Sequence, residues 1–291
     1  MSFLKTFAEP ECDLQIPADV AVVMPTVLRP GLKVALQSIF QQSHKGRIQV
    51  LVGVDKAMGD PCILDEICTG RPANVVVQVY YPGYSTSARH GGLSEAWDGG
   101  VLRCILTHLA NARHVAYLDD DNWWHRDHLS RLLKIIRKAD WAYALRWFVH
   151  PGSKQVICVD EWESVGPDRG VFSVGWVDPN CLMFDKLACE SVIQYWNIPL
   201  PGDNNRMTAD RNVFANLRAR FVGTATGKPS VFYVLGPADP LHPQRLKRMG
   251  GLYEQAGGAD PPPAIIVPAI PPAPPARGLG RLFSALKNTQ K

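Results

Sequence analysis

HVAYLDDDNWW, residues 114 to 124, is a β-type apolar run that closes on three consecutive aspartates, an asparagine and two tryptophans. Three carboxylates that close repel one another, so either solvent or a cation must compensate them. On an extended backbone Asp119 and Asp121 point one way and Asp120 the other. Upstream of this run, VAVVMPT (20–26) is followed by a helical period at Leu32, Leu36, Ile39 and Phe40. Then come IQVLVGVD (48–55), VVVQVYY (75–81) and a helix-like stretch from about 92 to 111. Strands apolar almost throughout belong inside a parallel sheet covered on both faces by helices, so the expected class is α/β.

Downstream, Leu129, Leu132, Leu133 and Ile136 mark an amphipathic helix. From 141 to 184 the pattern changes to short β-like segments, WAYALRWFV, QVICVD and VFSVGWV, separated by Pro, Gly and Asp. This predicts a loop-rich, more antiparallel second half, with helices at 185–196 and 208–219 and a strand in KPSVFYVL (228–235). Residues 261 to 275 hold eight prolines and predict an extended linker. Beyond it Leu279, Leu282, Phe283 and Leu286 recur at helical spacing beside Arg277, Arg281 and Lys287, a short basic amphipathic helix suited to an anionic membrane surface or a partner protein. The expected division is an extension over 1–18, a ligand-binding half over 19–135, a second half over 136–258, the linker over 259–276 and the helix over 277–291.

With 291 residues, 46% of them hydrophobic, the chain can bury a substantial core. A net charge of only +4 argues against a nucleic-acid binder that neutralises many phosphates. Seven cysteines without a CxxC pair predict neither a zinc site nor a disulfide framework, and Cys181 and Cys189 read as small buried hydrophobes. No stretch approaches the roughly 20 apolar residues of a membrane span, so the expected location is cytoplasmic, with peripheral membrane contact through 277–291 as an option.

Asp55 and Asp119 to Asp121 both fall where strands end, the place where open parallel sheets bind ligands. An EF-hand reading fails, because counting from Asp119 puts Trp124 and Ser130 where the loop needs glycine and glutamate. Helix capping needs a single acid, and Asp127 is better placed for it. Mg²⁺ or Mn²⁺ held by one or two carboxylates and completed by substrate phosphates survives. Neither GxxxxGK[ST] nor GxGxxG is present, which disfavours a P-loop NTPase and a dinucleotide oxidoreductase.

The order VAVVMPTVLRP, LVGVD, SARHGGLSEAWDGG, HVAYLDDDNWWHRDHL resembles the nucleotide-binding half of family 2 glycosyltransferases over residues 19 to 135. The resemblance implies the GT-A fold: a Rossmann-like, mostly parallel sheet flanked by helices, with a mixed acceptor-side half. It also implies inverting sugar transfer, assisted by Mn²⁺ or Mg²⁺, from a nucleoside-diphosphate sugar, UDP-linked in preference, to a hydroxyl acceptor, glycan, lipid-linked or other. Thr26, after Pro25, and Asp55 would contact the nucleobase or ribose, with Arg29 near them. Arg89 would approach the base or diphosphate, although His90 stands where the family commonly has asparagine. Asp120 would bind the ribose and Asp121 the metal, with Asp119 shaping the turn or adding to the donor or metal site.

The base of such enzymes usually lies in an acidic pair opening a helix in the second half. MTADRNVFANL (207–217) is similar, which makes Asp210 the candidate base and Asp203 the alternative; Ala209 replaces the first acid. His242 is a candidate to complete the metal shell or to close over the diphosphate from a mobile loop. Trp123 is a candidate wall for a sugar ring, while Trp141, Trp147 and Trp196 read as core. A nucleotidyltransferase, a glycoside hydrolase with two carboxylates and a nucleotide-sugar-binding module without turnover are the rival readings.

Overall fold

Apolar side chains on both faces of a strand are buried only when helices cover both faces of the sheet, and the first half of the chain folds accordingly. The computed structural model describes residues 2–97, 99–202 and 207–258. In chain order its elements begin β1 (Phe3–Phe7), β2 (Ala18–Thr26), α1 (Leu32–Phe40), β3 (Ile48–Val54), α2 (Cys62–Thr69), β4 (Val75–Tyr81), α3 (Gly100–Leu109) and β5 (Ala112–Tyr117). There follow β6 (Trp123–Trp124), α4 (His128–Ile136), β7 (Trp141–Val149), β8 (Val156–Val159), β9 (Gly166–Pro167), β10 (Gly175–Trp176) and β11 (Leu182–Asp185). The last are α5 (Ala209–Arg220), β12 (Gly223–Val234), α6 (His242–Met249) and α7 (Leu252–Gly258). One sheet runs β1-β4-β3-β2-β5-β11-β7-β12-β6, with β8 paired to β7; β9 and β10 form a separate hairpin.

β4, β3, β2 and β5 are mutually parallel, with β2 opposite β3 from Val20↔Ile48 to Thr26↔Val54. The second half is mixed: β11 lies antiparallel between β5 and β7, whereas β12 runs parallel to β7. Val20 to Met24 and Val50 to Val52 are fully or almost fully excluded from water, and Leu32, Leu36 and Ile39 of α1 close over them. Cutting one such leucine to alanine typically costs about 2–5 kcal/mol. Among the described residues no helix is long and apolar enough to cross a membrane.

Four elements differ from the expectation. Phe3–Phe7, within the expected extension, joins the sheet antiparallel to β4, and Phe3 packs edge-on against Tyr81 at 5.3 Å. The helix expected from about 92 begins only at Gly100, because Gly91 (φ +92°) and Gly99 (φ +69°) take left-handed conformations that end regular structure. VFSVGWV pairs only through Gly175–Trp176, and residues 190–197 form a 3-10 helix. Trp147, expected in the core, is only half-buried, stacking on Phe232 at 4.7 Å, which in turn stacks on Trp123 at 5.3 Å. The linker and terminal helix expected over 259–291 lie outside the described residues.

Candidate functional site

From β2 the chain winds outward to β3 and β4, then crosses back to place β5 on the other side of β2. The carboxyl ends of β2 and β5 therefore lie at the switch point of the sheet, the place where such sheets bind ligands. PTVLRPG leaves β2 there and LDDDN leaves β5. The two loops are tied together: Thr26 Oγ1 donates to Asp120 Oδ2 at 2.7 Å, and the Val27 N–H donates to the same oxygen at 3.3 Å. The Thr26 hydroxyl also accepts the Leu28 N–H at 2.8 Å, and Leu28 holds φ +63°, a strained conformation for a leucine. A Cβ on Gly31 would stand 2.7 Å from the Asp120 carbonyl oxygen, so glycine is what lets the start of α1 approach the acidic loop.

The three aspartates have different environments. Asp119 receives Arg103 of α3 and the Asn180 amide, the latter at 2.8 Å. Asp120 is 4% exposed, and burial raises its pKa against the pull of Arg29 and the Thr26 hydrogen bond. Asp121 faces outward with its side chain 48% exposed; Arg29 Nη1 donates to its Oδ2 at 2.9 Å and Asn122 Nδ2 to its Oδ1 at 3.0 Å. Burial of part of the carboxylate, then the charges of Asp119 and Asp120, push Asp121 up to about 7, with Arg29 opposing. Water reaching the exposed side screens part of that repulsion. The compensation asked of solvent or a cation is thus largely supplied by Arg103, Asn180, Thr26 and Arg29, and Asp121 is the carboxylate most open to solvent.

Asp55 is also engaged. Its carboxylate takes Ser85 Oγ at 2.6 Å and the Thr86 N–H and Oγ1, both at 2.7 Å, which draws the loop after β4 over the end of β3. That loop continues into the 3-10 turn Ala88–His90, capped by Ser87, where Arg89 is exposed and His90 half-buried. Pro25 is half-buried, and Gly99 at the start of α3 packs on it.

Asp210 lies in the first turn of α5, where the Arg211 N–H donates to its Oδ1 at 2.7 Å. Asp203 lies outside the described residues. His242 opens α6 rather than sitting in a loop, and its ring meets Tyr253 edge-on at 5.7 Å. Among the described residues no group of three or more His, Cys, Asp or Glu is placed to hold a metal, so Asp119, Asp121 and His242 do not gather as a ligand set. The switch point fits a divalent cation in another way. Asp121 offers one outward carboxylate beside two further aspartates, and Mg²⁺ or Mn²⁺ needs only one or two carboxylates when phosphates complete its shell.

Behind the mouth lies a buried ion network that sequence reading missed. Arg146 of β7, fully buried, meets Asp160 at 2.8 Å, Glu163 at 2.7 Å and Asp178 at 2.5 Å. Arg245 of α6 meets Glu163 at 2.8 Å and Asp239 at 2.7 Å. Burial works to raise Asp160, but Arg146 and three backbone N–H groups outweigh it and hold it low; burial leaves Asp178 raised despite Arg146. Asn180 links this network to the acidic loop. No local pattern marks it: DPN before an apolar strand reads as an ordinary turn.

No family model matches the chain, and no curated protein matches it by sequence. Among solved structures it is similar to S. aureus TarS 1–349, with TM-score 0.53 and 14% identity over 82% of this chain and 65% of that one. The same fragment in complex with UDP-GlcNAc matches at TM-score 0.52 and 12% identity, over 82% and 66%. Mannosyltransferase PcManGT from Pyrobaculum calidifontis, in complex with GDP-Man and Mn²⁺, matches at 0.50 and 14%, over 85% and 66%. The chain thus spans just under two thirds of each of these structures. At such identities the likeness shows the fold, which is the GT-A arrangement of a mostly parallel sheet flanked by helices.

Proposed function

We propose that this chain is a glycosyltransferase that moves a sugar from a nucleoside diphosphate to a hydroxyl acceptor with inversion, assisted by Mn²⁺ or Mg²⁺. The observation that carries the reading is the convergence of Thr26, Arg29, Asp120 and Asp121, from two loops more than 90 residues apart in sequence, at the switch point of the sheet. UDP is the favoured nucleotide, supported by the UDP-GlcNAc complex of TarS; GDP is the alternative, supported by the GDP-Man complex of PcManGT.

In this reading Asp121 supplies the carboxylate for the cation, and Arg29 adds positive charge beside the diphosphate. When bound, the metal supplies Lewis-acid stabilisation of the leaving diphosphate. Arg89 and the loop held by Asp55 face the nucleoside. Asp120 and Asp119 hold the loop and stand nearest the ribose. Asp210, oriented by the Arg211 N–H, takes the proton of the acceptor hydroxyl. The hydroxyl oxygen bonds to the anomeric carbon as the bond to the diphosphate breaks, and its electron pair leaves with the diphosphate; a single displacement inverts the centre. A binding module remains the second reading, favoured by Ala209 in place of an acid.

The test is a screen of UDP- and GDP-sugars for Mn²⁺-dependent release of nucleoside diphosphate. Release from at least one donor, stopped by chelation, is expected. Binding without release favours the module, and neither binding nor release contradicts both readings.

A further inference from the structure

We infer that Asn180 is the positioning residue of the acidic loop, setting the geometry in which Asp121 meets a divalent cation. The inference rests on the reading of the switch point as a metal-assisted nucleoside-diphosphate site. Asn180 is fully buried in a 3-10 turn immediately before β11, and it grips the loop at both ends. At the near end its Oδ1 accepts the Asp119 N–H at 2.7 Å and its Nδ2 donates to Asp119 Oδ2 at 2.8 Å. At the far end its carbonyl oxygen accepts Trp124 Nε1–H at 2.8 Å. The amide orientation follows from chemistry. Nδ2 also donates to Asp178 Oδ1 at 2.7 Å, so a flipped amide would turn its oxygen on two carboxylates and its donors on a backbone N–H.

Between these two grips run Asp120, Asp121 and Asn122. Asn122 Oδ1 accepts the Val234 N–H of β12 at 2.9 Å while its Nδ2 donates to Asp121 Oδ1 at 3.0 Å. Asp121 therefore projects from a loop fixed at its start and end by one residue and at its middle by another. Asp178, which anchors Asn180 through both its amide and its backbone N–H, is itself held by the buried Arg146. A loop of three adjacent carboxylates tends to splay apart, and Asn180, bridging Asp119 to Asp178 with a neutral side chain, holds it without adding to the positive charge of Arg29 and Arg103.

The effect expected from loosening this grip is specific. Asn180→Asp keeps size and the Asp119 N–H acceptor but replaces both donors with an oxygen facing two carboxylates. Asn180→Ser removes the donors and leaves room for water. UDP and GDP binding is titrated by calorimetry with and without Mn²⁺, beside the thermal midpoint of each variant. Gln49→Ala is the control, a buried residue at the opposite ends of the strands that bonds Gln78 at 2.7 Å. Both Asn180 variants are expected to raise the Mn²⁺ concentration for half-maximal nucleotide binding about tenfold or more, with a smaller effect on metal-free nucleotide binding. The control is expected to lose thermal stability without moving the Mn²⁺ midpoint. An unchanged Mn²⁺ midpoint in a folded Asn180 variant overturns the inference, as does a shift of the same size in the control, or unfolding of both Asn180 variants. If wild type binds neither nucleotide in the presence of Mn²⁺, it is the reading of the switch point that fails.

Discussion

His128 makes the stability of the protein depend on acid in a way that can be isolated. Its ring is fully buried at the start of α4, stacked on Trp124 at 4.3 Å, with Nδ1 2.8 Å from Ser230 Oγ. Burial, then the charges of Arg131 and His125, push its pKa down to about 3 from an ordinary 6.5. In the unfolded chain the imidazole binds a proton as pH falls below 6.5, whereas in the folded chain it stays neutral until about 3. The contribution is therefore complete above 6.5 and declines through the window between the two values. At about 1.4 kcal/mol per pH unit, some 1.5 units below the unfolded value, His128 alone removes about 2 kcal/mol at pH 5. The perturbation is His128→Phe with Ser230→Ala, which keeps a flat ring against Trp124 and leaves no unpaired hydroxyl. Urea unfolding of both proteins at pH 7.5 and pH 5 gives the comparison. Because the carboxylates titrate in both, the difference between the two proteins isolates the histidine. The loss on acidification is expected to be about 2 kcal/mol smaller in the variant. An equal loss in both proteins would refute the assignment of a buried, neutral His128.

Arg146→Met leaves Asp160, Glu163 and Asp178 buried with only Arg245 as counter-charge, and is expected to cost about 3–5 kcal/mol in chemical denaturation. Gly31→Val drives its side chain into the Asp120 carbonyl, and is expected to weaken Mn²⁺-dependent nucleotide binding about tenfold or more, read by calorimetry, with circular dichroism unchanged. Asp210→Asn is expected to spare donor binding and lower sugar transfer by about 10²-fold or more; normal turnover would move the base elsewhere.

The parallel half was legible because its strands carry their own signal. VVVQVYY is a strand over the span that periodicity gives it, as is WAYALRWFV in the mixed half, and Asp55 and Asp119 follow within two residues of the ends of β3 and β5. Irregular segments were not legible, since tertiary hydrogen bonds decide them. Ser85 and Thr86 are drawn in by Asp55 from another strand, and with Gly91 and Gly99 left-handed the helix expected from about 92 begins only at Gly100. Phe3–Phe7 is a strand through the partner offered by β4, which its own five residues do not announce. In the candidate site, aspartates are conspicuous in sequence while the residues that hold them, Arg103, Asn122 and Asn180, are ordinary until folding brings them within 3 Å or so of those carboxylates.

The central claim is that Asp121 presents a cation to a nucleoside diphosphate at the switch point of the sheet. Calorimetric titration of UDP and GDP, with and without Mn²⁺, into wild type and Asp121→Asn tests it directly. The account predicts Mn²⁺-dependent binding of at least one nucleotide by wild type and loss of the metal-dependent part in the variant. Equal metal-dependent binding by both proteins, or none by wild type, would contradict it.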